Sequence, residues 1–100
     1  MYARLARYEV PADRTLEVVR GFEGAAGELE ELEGLTGGYL LVDEEEGHVF
    51  TLTLWESRAA LEASAARSGA LRQRAVKDVE GSVLAVNNLD VALSFGANEA

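Results

Sequence analysis

Few residues in this chain have side chains suited to catalysis or metal binding. There is one histidine, His48, one tryptophan, Trp55, and no cysteine. The lack of cysteine excludes a disulfide framework, thiolate metal ligands and a cysteine nucleophile. His48 directly follows a glycine turn, which is typical of a surface residue, and a Ser–His–Asp triad cannot be assembled around it. Hydrolytic chemistry of the common kinds is therefore not predicted.

Carboxylates are abundant and are concentrated in two groups, Glu28–Glu33 and Asp43–Glu46. Neither group contains a histidine or has the glycine spacing of a calcium loop, so we predict a solvated helix face and a turn, and no metal. The net charge of −9 repels nucleic-acid phosphates and anionic lipid, so neither nucleic acid nor a membrane is an expected partner. Short apolar runs and the absence of an export signal favour a cytoplasmic protein.

The 100 residues and 48% apolar content are those of one packed domain, which we place at residues 1–95, with a short tail over 96–100. Apolar periodicity and turn residues predict its elements. These are a strand over 2–10, a helix over about 13–33, a strand over 39–42, a strand over 48–56, a helical region over 58–79 interrupted at 68–69, and a strand over 82–94. This order is the ferredoxin-like β-α-β-β-α-β pattern of an α+β domain, with both helices on one face of a four-stranded antiparallel sheet.

Local signals predict the ends of these elements and the buried face of the first helix. Asp13 and Ser57 are the expected N-caps, and Gly47 suits the positive φ of the hairpin turn. The glycines of the first helix indicate a kink or a close packing contact. The predicted buried face of that helix consists of apolar residues at three- and four-residue steps: Leu16, Val19, Phe22, Ala26 and Leu29.

The predicted sheet is apolar on both faces, which two helices on one side cannot cover. In the third strand Phe50, Leu52 and Leu54 share one face, while Val49 and Trp55 lie on the other. The pattern of the last strand puts Val83 and Leu89 on one face together. Since monomers rarely expose a large apolar patch, we predict a homodimer whose sheets close a dimeric α/β barrel. A monomer whose open face binds a flat apolar ligand is the alternative.

Four segments of the chain are distinctive: Gly34-Leu-Thr-Gly-Gly-Tyr-Leu-Leu41, the acidic turn, Thr53-Leu-Trp-Glu-Ser57 before an alanine-rich helix, and Tyr8-Glu-Val-Pro11. Together they resemble the antibiotic biosynthesis monooxygenase family of the dimeric α/β barrel superfamily. The resemblance covers nearly the whole chain. It implies oxygen addition to an electron-rich aromatic or polyketide-like substrate with no cofactor, since family oxygenases use no metal, flavin or haem. An anion of the substrate would be stabilised in a dry cavity and would give an electron to oxygen.

The resemblance also implies site residues. Trp55 is similar to the strand tryptophan that lines the family's cavity, and Arg72 to the arginine that approaches the substrate, so these two are the catalytic candidates. Thr51 stands where family oxygenases can carry an asparagine, and Leu61 where they can carry a tyrosine; with Tyr39 they are the substrate-binding candidates. Threonine is a shorter donor, and leucine donates nothing. Trp55 is also well suited to be a packed core aromatic.

A haem-degrading branch of the superfamily needs an axial histidine after the second helix, and His48 lies elsewhere in the sequence. Haem degradation is therefore not predicted. Asn87 and Asn88 interrupt an apolar strand, which indicates a bulge or a dimer seam. Two functions remain open: a small-molecule-binding homodimer acting as a cofactor-independent monooxygenase, or a non-catalytic protein of the same fold with a ligand-binding, stress-associated or accessory role.

Overall fold

The computed structural model describes residues 1–77 and 79–96. Most of the predicted tail, residues 97–100, lies outside the described residues. The elements are β1 (Tyr2–Glu9), a 3-10 turn (Ala12–Arg14), α1 (Thr15–Glu30), β2 (Leu35–Asp43), β3 (His48–Trp55), α2 (Arg58–Ala63), α3 (Ala65–Lys77) and β4 (Ser82–Asp90). All neighbouring strands are antiparallel, in the order β2-β3-β1-β4. The predicted ferredoxin-like fold is confirmed, with the second helical region divided in two.

The second strand, β2, is longer than the predicted strand over 39–42, because it also includes Gly37 and Gly38. It begins at Leu35, and Gly38 pairs with Thr53 of β3. The backbone forms this ladder without help from side chains, and a Cβ on Gly38 would lie 3.0 Å from the Leu52 carbonyl oxygen. A side chain at this position would crowd β3. Gly38 therefore permits close strand pairing here, whereas a Cβ on Gly37 would meet no atom within 4 Å.

The buried face of α1 differs from the predicted one. Thr15, Val18, Phe22 and Ala25 are buried, whereas Leu16 is 62% exposed. Asp13 is not the N-cap, because it lies within the 3-10 turn and Arg14 takes the cap position without a side-chain hydrogen bond. Of the predicted face only Phe22 is fully buried. Because α1 packs against the sheet and α3, its buried side chains are those of the neighbouring stripe along the helix, which are smaller.

Close packing between α1 and α3 explains one of the three helix glycines. A Cβ on Gly21 would lie 2.7 Å from the Ala75 carbonyl oxygen, whereas a Cβ on Gly24 or Gly27 would meet no atom within 4 Å. On the solvent side, Arg74 of α3 forms an ion pair with Glu28 of α1 at 2.8 Å. Gly21 thus lets the two helices approach each other directly above the sheet.

The break between α2 and α3 lies at Ser64, not at residues 68–69 as predicted. Ser57 caps α2 as expected, because its Oγ accepts from the Ala60 N–H at 3.1 Å. At the other end the Ser64 hydroxyl donates to the Leu61 carbonyl at 2.8 Å, which competes with the helical ladder. Ser68 and Gly69 lie inside α3. Residues 68–69 are of turn-forming types, but the helix continues through them because α3 packs onto the sheet.

A bulge in β4 changes which of its residues share a face. The pairing with β1 shifts between Arg7 and Tyr8, so Val83 lies opposite Tyr8 and Leu89 opposite Ala3. Val83 packs against the main core under the helices, and Leu89 lies on the opposite face. The prediction that the two share a face was wrong, because the extra residue in the bulge reverses the alternation. The strand also ends at Asp90, earlier than predicted.

The sheet face opposite the helices, here called the outer face, is mostly apolar, with Arg7 and Asn87 as polar members. Strand alternation and register bring Leu5, Tyr39, Leu41, Phe50, Leu52, Leu54 and Leu89 to it. Tyr39, Leu41 and Leu89 are among the exposed large apolar residues of the described chain. The helices lie on the other side, so they leave this face uncovered. Among the described residues, no helix is long and apolar enough to cross a membrane.

Candidate functional site

A pocket of about 240 Å³ lies between the helices and the sheet, among residues of α1, α3, β1, β2 and β3. It separates two clusters of buried residues. The main core, around Tyr8, Val18 and Phe22, lies on one side, and a smaller cluster of Leu32, Trp55 and Leu61 lies on the other. Here the term pocket is kept for this cavity. Since it is formed within one chain, its walls do not depend on a second copy.

Small residues create the space. Ala25 and Ala26 of α1 face Gly37 and Gly38 of β2 across the pocket, and none of these four has a side chain beyond Cβ. The remaining apolar wall consists of larger side chains: Phe22, Leu29, Leu35, Leu40 and Leu71. An apolar slot of this size, at the small end of ligand pockets, suits a flat aromatic ring system.

Polar groups line the sheet side of the pocket. Thr51 and Thr53 are successive inward-facing residues of β3, and each is engaged by a neighbour. The Tyr8 hydroxyl and the Thr51 Oγ1 are 2.8 Å apart, and the Trp55 indole N–H donates to Thr53 Oγ1 at 3.0 Å. These hydrogen bonds leave each threonine with further donor or acceptor capacity. The sheet side of the pocket can therefore form a hydrogen bond with an oxygen of a bound ligand.

Arg4 is the most unusual residue of the pocket, since it is a cation only 3% exposed. Its Nε donates to Asn88 Oδ1 at 3.2 Å, Nη1 to Ser64 Oγ at 3.1 Å and Nη2 to the Leu61 carbonyl at 2.8 Å. The guanidinium carbon lies 5.6 Å from the centre of the Trp55 ring, within cation–π range. All three acceptors are neutral. Among the described residues, no carboxylate pairs with Arg4.

Arg72 brings a second positive charge to the pocket. It extends from α3 and is partly exposed. Burial lowers the pKa of the Arg4 guanidinium, and the positive charge of Arg72 lowers it further. Burial raises the pKa of the Tyr8 hydroxyl, with smaller opposing effects from the Thr51 hydrogen bond and Arg72. Tyr8 is therefore protonated at neutral pH and acts as a hydrogen-bonding group, not as a base.

Glu30 is the single acidic residue in the pocket lining, and it is exposed at the rim. Two guanidinium groups and one distant carboxylate give the pocket a positive interior, although the chain as a whole carries a net charge of −9. Such a site favours anions over cations and neutral molecules.

The structure brings together some of the residues singled out from the sequence and separates others. Arg72 and Thr51 line the pocket. Tyr39 borders it, but its pairing with Leu52 directs its side chain to the outer face, where it is 65% exposed. Trp55, fully buried, and Leu61 pack beside the pocket in the smaller cluster and do not line it. Leu61 contributes through its backbone, as the acceptor for Arg4.

Arg4 and Tyr8 are the functional candidates that sequence reasoning missed. Both occupy the inward phase of β1, together with Ala6, which is fully buried. A charged residue at an inward position of a predicted strand was the available signal, because such a residue must find partners under the helices. The spacing of residues 4, 6 and 8 shows it in the sequence.

Comparisons with known proteins agree with this architecture. The family model for antibiotic biosynthesis monooxygenases matches residues 1–78. A Deinococcus radiodurans structure assigned to such monooxygenases is 14% identical, with a TM-score of 0.76 over 99% of this chain and 100% of that one. SnoaB, a cofactor-independent oxygenase from Streptomyces nogalater, is 14% identical, with a TM-score of 0.74 over 96% and 97% of the two chains.

A third solved structure has a higher sequence identity. It is the heme-degrader MhuD of Mycobacterium tuberculosis, with two hemes bound in its active site. MhuD is 27% identical to this chain, with a TM-score of 0.71 over 96% of this chain and 100% of MhuD. No relative among the curated proteins matches the chain significantly.

Proposed function

Because the chain belongs to the antibiotic biosynthesis monooxygenase family, we propose that it is a cofactor-independent monooxygenase that binds a small aromatic or polyketide-like substrate as an anion. One observation carries the proposal: two arginines, Arg4 and Arg72, face an apolar slot formed by α1 and β2. The slot suits the ring of the substrate, and the cations suit the negative charge that the ring acquires when it loses a proton.

The proposed chemistry requires stabilisation of a carbanion or enolate. A ring carbon next to a carbonyl or phenol loses a proton, and Arg72 and the Thr51 hydroxyl stabilise the resulting anion. The anion transfers an electron to molecular oxygen, and the two radicals combine. Loss of water then converts the CH₂ group into C=O, so that CH₂ and O₂ yield C=O and H₂O. The apolar side chains of α1 limit water access to the anion.

The other residues named from the sequence have indirect roles in this proposal. Trp55 is a positioning residue, because its ring holds the Arg4 guanidinium and its indole N–H orients the Thr53 hydroxyl. Leu61 positions the same guanidinium through its carbonyl group. Tyr39 shapes the pocket edge with its backbone, while its side chain belongs to the outer face.

The pocket does not fit a haem held by histidine. His48, the one histidine of the chain, lies at the start of β3 opposite Glu9 and Asp43, at the hairpin end of the sheet. It is not among the residues that line the pocket. The haem chemistry of MhuD is therefore not part of the proposal for this chain.

The proposal includes a homodimer formed by two outer faces. The leucines, Phe50 and Tyr39 of this face form most of the surface on the side of the sheet that the helices leave bare. A second copy related by a two-fold axis would cover the surface and complete a dimeric α/β barrel. Light scattering after size exclusion at micromolar concentration tests this part, because a stable monomer would contradict it.

A non-catalytic ligand-binding role is the second candidate, and one observation favours it. Apart from the two arginines, the donors on the pocket wall are short hydroxyls, and Thr51 is already engaged by Tyr8. A stress-associated or accessory protein needs the ligand to bind but does not need a proton to be removed from it. Binding without turnover of an oxidisable ligand distinguishes this role from catalysis.

Oxygen uptake with anthrone in metal-depleted buffer tests catalysis. We expect turnover by the wild type and a loss of about 100-fold or more in kcat/KM for Arg72→Ala, because one charge-stabilising group is removed. Arg67→Ala is the matched control, since Arg67 is also on α3 but forms an exposed ion pair with Glu31. Equal turnover by both variants, or none by the wild type, would refute the catalytic role.

A further inference from the structure

The buried arginine of β1 points to a more specific ligand. Arg4 has five N–H groups, of which three donate to neutral acceptors and none to a carboxylate among the described residues. Burial of a cation without an anionic partner is costly, and neutral oxygens offset only part of that cost. A buried ionisable group of this kind that lines a cleft is a candidate for a functional site.

The surroundings of Arg4 hold it in a fixed position. Its three hydrogen bonds reach β4 through Asn88, the α2–α3 junction through Ser64, and α2 through the Leu61 carbonyl. The Trp55 ring supports the guanidinium from the side. A cation held on three sides has lost its conformational freedom before any ligand binds, which strengthens the binding of a geometrically matched anion.

The remaining direction from Arg4 is toward the pocket, whose lining it shares with Thr53 and Ser68. Ser68 is itself 3% exposed, and its hydroxyl lies 3.5 Å from that of Ser64. A buried guanidinium with adjacent hydroxyls is a set of donors that matches the two oxygens of a carboxylate. Arg72 is a separate cation, near enough for its charge to lower the pKa of Arg4.

We infer that Arg4 forms a carboxylate subsite at the inner end of the pocket, so that the ligand is an aromatic carboxylic acid that also carries an acidic hydroxyl. The inference rests on the function proposed above for the same pocket, and it specifies the class of substrate. The carboxylate binds Arg4 and the hydroxyls of Thr53 and Ser68, which line the same part of the pocket. The ring lies between α1 and β2, and the ligand hydroxyl faces Arg72 and Thr51. Arg4 is therefore a binding residue that selects the substrate.

Three two-ring probes that differ in one group test this inference: 3-hydroxy-2-naphthoate, its carboxamide and 2-naphthol. Calorimetric titration measures their binding, and quenching of Trp55 fluorescence provides a second signal, since Trp55 is the sole tryptophan and contacts Arg4. For the wild type we expect the carboxylate to bind about 10- to 100-fold more tightly than the carboxamide or 2-naphthol. Such a gain in affinity is typical of a charge-assisted hydrogen-bonded pair, here the ligand carboxylate and the Arg4 guanidinium.

The variant Arg4→Gln assigns the preference to one residue. The glutamine amide nitrogen lies near the position of the arginine Nε and can still donate to Asn88 Oδ1, so we expect this variant to abolish the preference for the carboxylate while 2-naphthol affinity changes less than threefold. Arg74→Gln is the matched control, because Arg74 is an exposed arginine on α3 that pairs with Glu28, and it should keep the preference. If Arg4→Gln does not fold, Arg4→Lys and the wild-type comparison of carboxylate with carboxamide remain decisive.

Different results would contradict the two proposals. Equal wild-type affinity for carboxylate and carboxamide would overturn the carboxylate subsite, even if anthrone is oxidised. A parallel loss of affinity for all three probes in Arg4→Gln would also overturn it, because the residue would then be structural. A strong carboxylate preference without oxygen uptake by any probe or by anthrone would support the subsite and refute the monooxygenase.

Discussion

Gly21 and Gly24 lie one turn apart in α1, and replacing each with alanine should have opposite effects on stability. Alanine is favoured over glycine in a helix by about 1 kcal/mol. At Gly24 the new Cβ meets no atom within 4 Å, so we expect Gly24→Ala to raise the free energy of unfolding by about 0.5–1 kcal/mol. Gly27→Ala should behave in the same way, for the same reason.

At Gly21 the same methyl group meets α3. The Cβ would lie 2.7 Å from the Ala75 carbonyl oxygen, a backbone atom that cannot move without its helix. Overpacking of this kind costs about 1–3 kcal/mol. Since the gain in helix propensity is common to both variants, the stability difference between Gly21→Ala and Gly24→Ala isolates that cost. For a domain of this size it corresponds to roughly 4–8 °C in Tm for each kcal/mol.

Urea unfolding followed by Trp55 fluorescence measures the difference, with all variants at one protomer concentration because a dimer makes stability concentration-dependent. Displacement of α1 from α3 should also weaken ligand binding, since Phe22 and Ala25 of α1 line the pocket together with Leu71 of α3. If Gly21→Ala were as stable as Gly24→Ala, α1 and α3 would not be in close contact at this point. The same result would remove the reason for glycine at position 21.

Three further outcomes are expected. Trp55→Phe removes the hydrogen bond to Thr53 and weakens the contact with Arg4, which should cost about 2–4 kcal/mol in urea unfolding followed by circular dichroism, while turnover falls less than about tenfold. Unchanged stability with abolished turnover would instead make Trp55 catalytic. Leu52→Glu places a charge on the outer face and should yield a monomer by light scattering, and a persistent dimer would contradict the barrel. Burial raises the pKa of Tyr8 above its ordinary value of 10.0, so the unfolded chain releases this proton at a lower pH than the folded chain does, and stability present below about pH 10 is lost as the pH rises. Tyr8→Phe should reduce this loss of stability at alkaline pH. An identical loss in both proteins would show that Tyr8 is not its source.

The order of elements could be predicted from the sequence because its signals are local. Pro11 ends the first strand, Gly47 has the predicted positive φ in the hairpin turn, and Ser57 caps α2 as expected. The Trp55-Glu-Ser57 segment and the glycines near Tyr39 also carried the family resemblance, which the match over residues 1–78 confirms. Such features depend on neighbours in the chain, so the sequence contains all the information that they require.

Other predictions failed where distant elements decide the outcome. The buried stripe of α1 was wrongly placed at Leu16 because the position of α3, set by close contact at Gly21, selects the stripe that contains Val18. The helix break lies at Ser64 because its hydroxyl donates to the Leu61 carbonyl. That carbonyl also accepts from Arg4 of β1, which is 57 residues earlier in the chain. Neither choice can be derived from local periodicity.

The sequence by itself determined the fold, the acidic character of the chain and the presence of apolar residues on both faces of the sheet. Only the tertiary structure decided what surrounds Arg4, and which candidates meet in the pocket. Arg72 and Thr51 converge there, whereas the Tyr39 side chain lies on the outer face. The physical reason is that alternation along a strand is local, but a site depends on the register between strands and on the placement of helices above them.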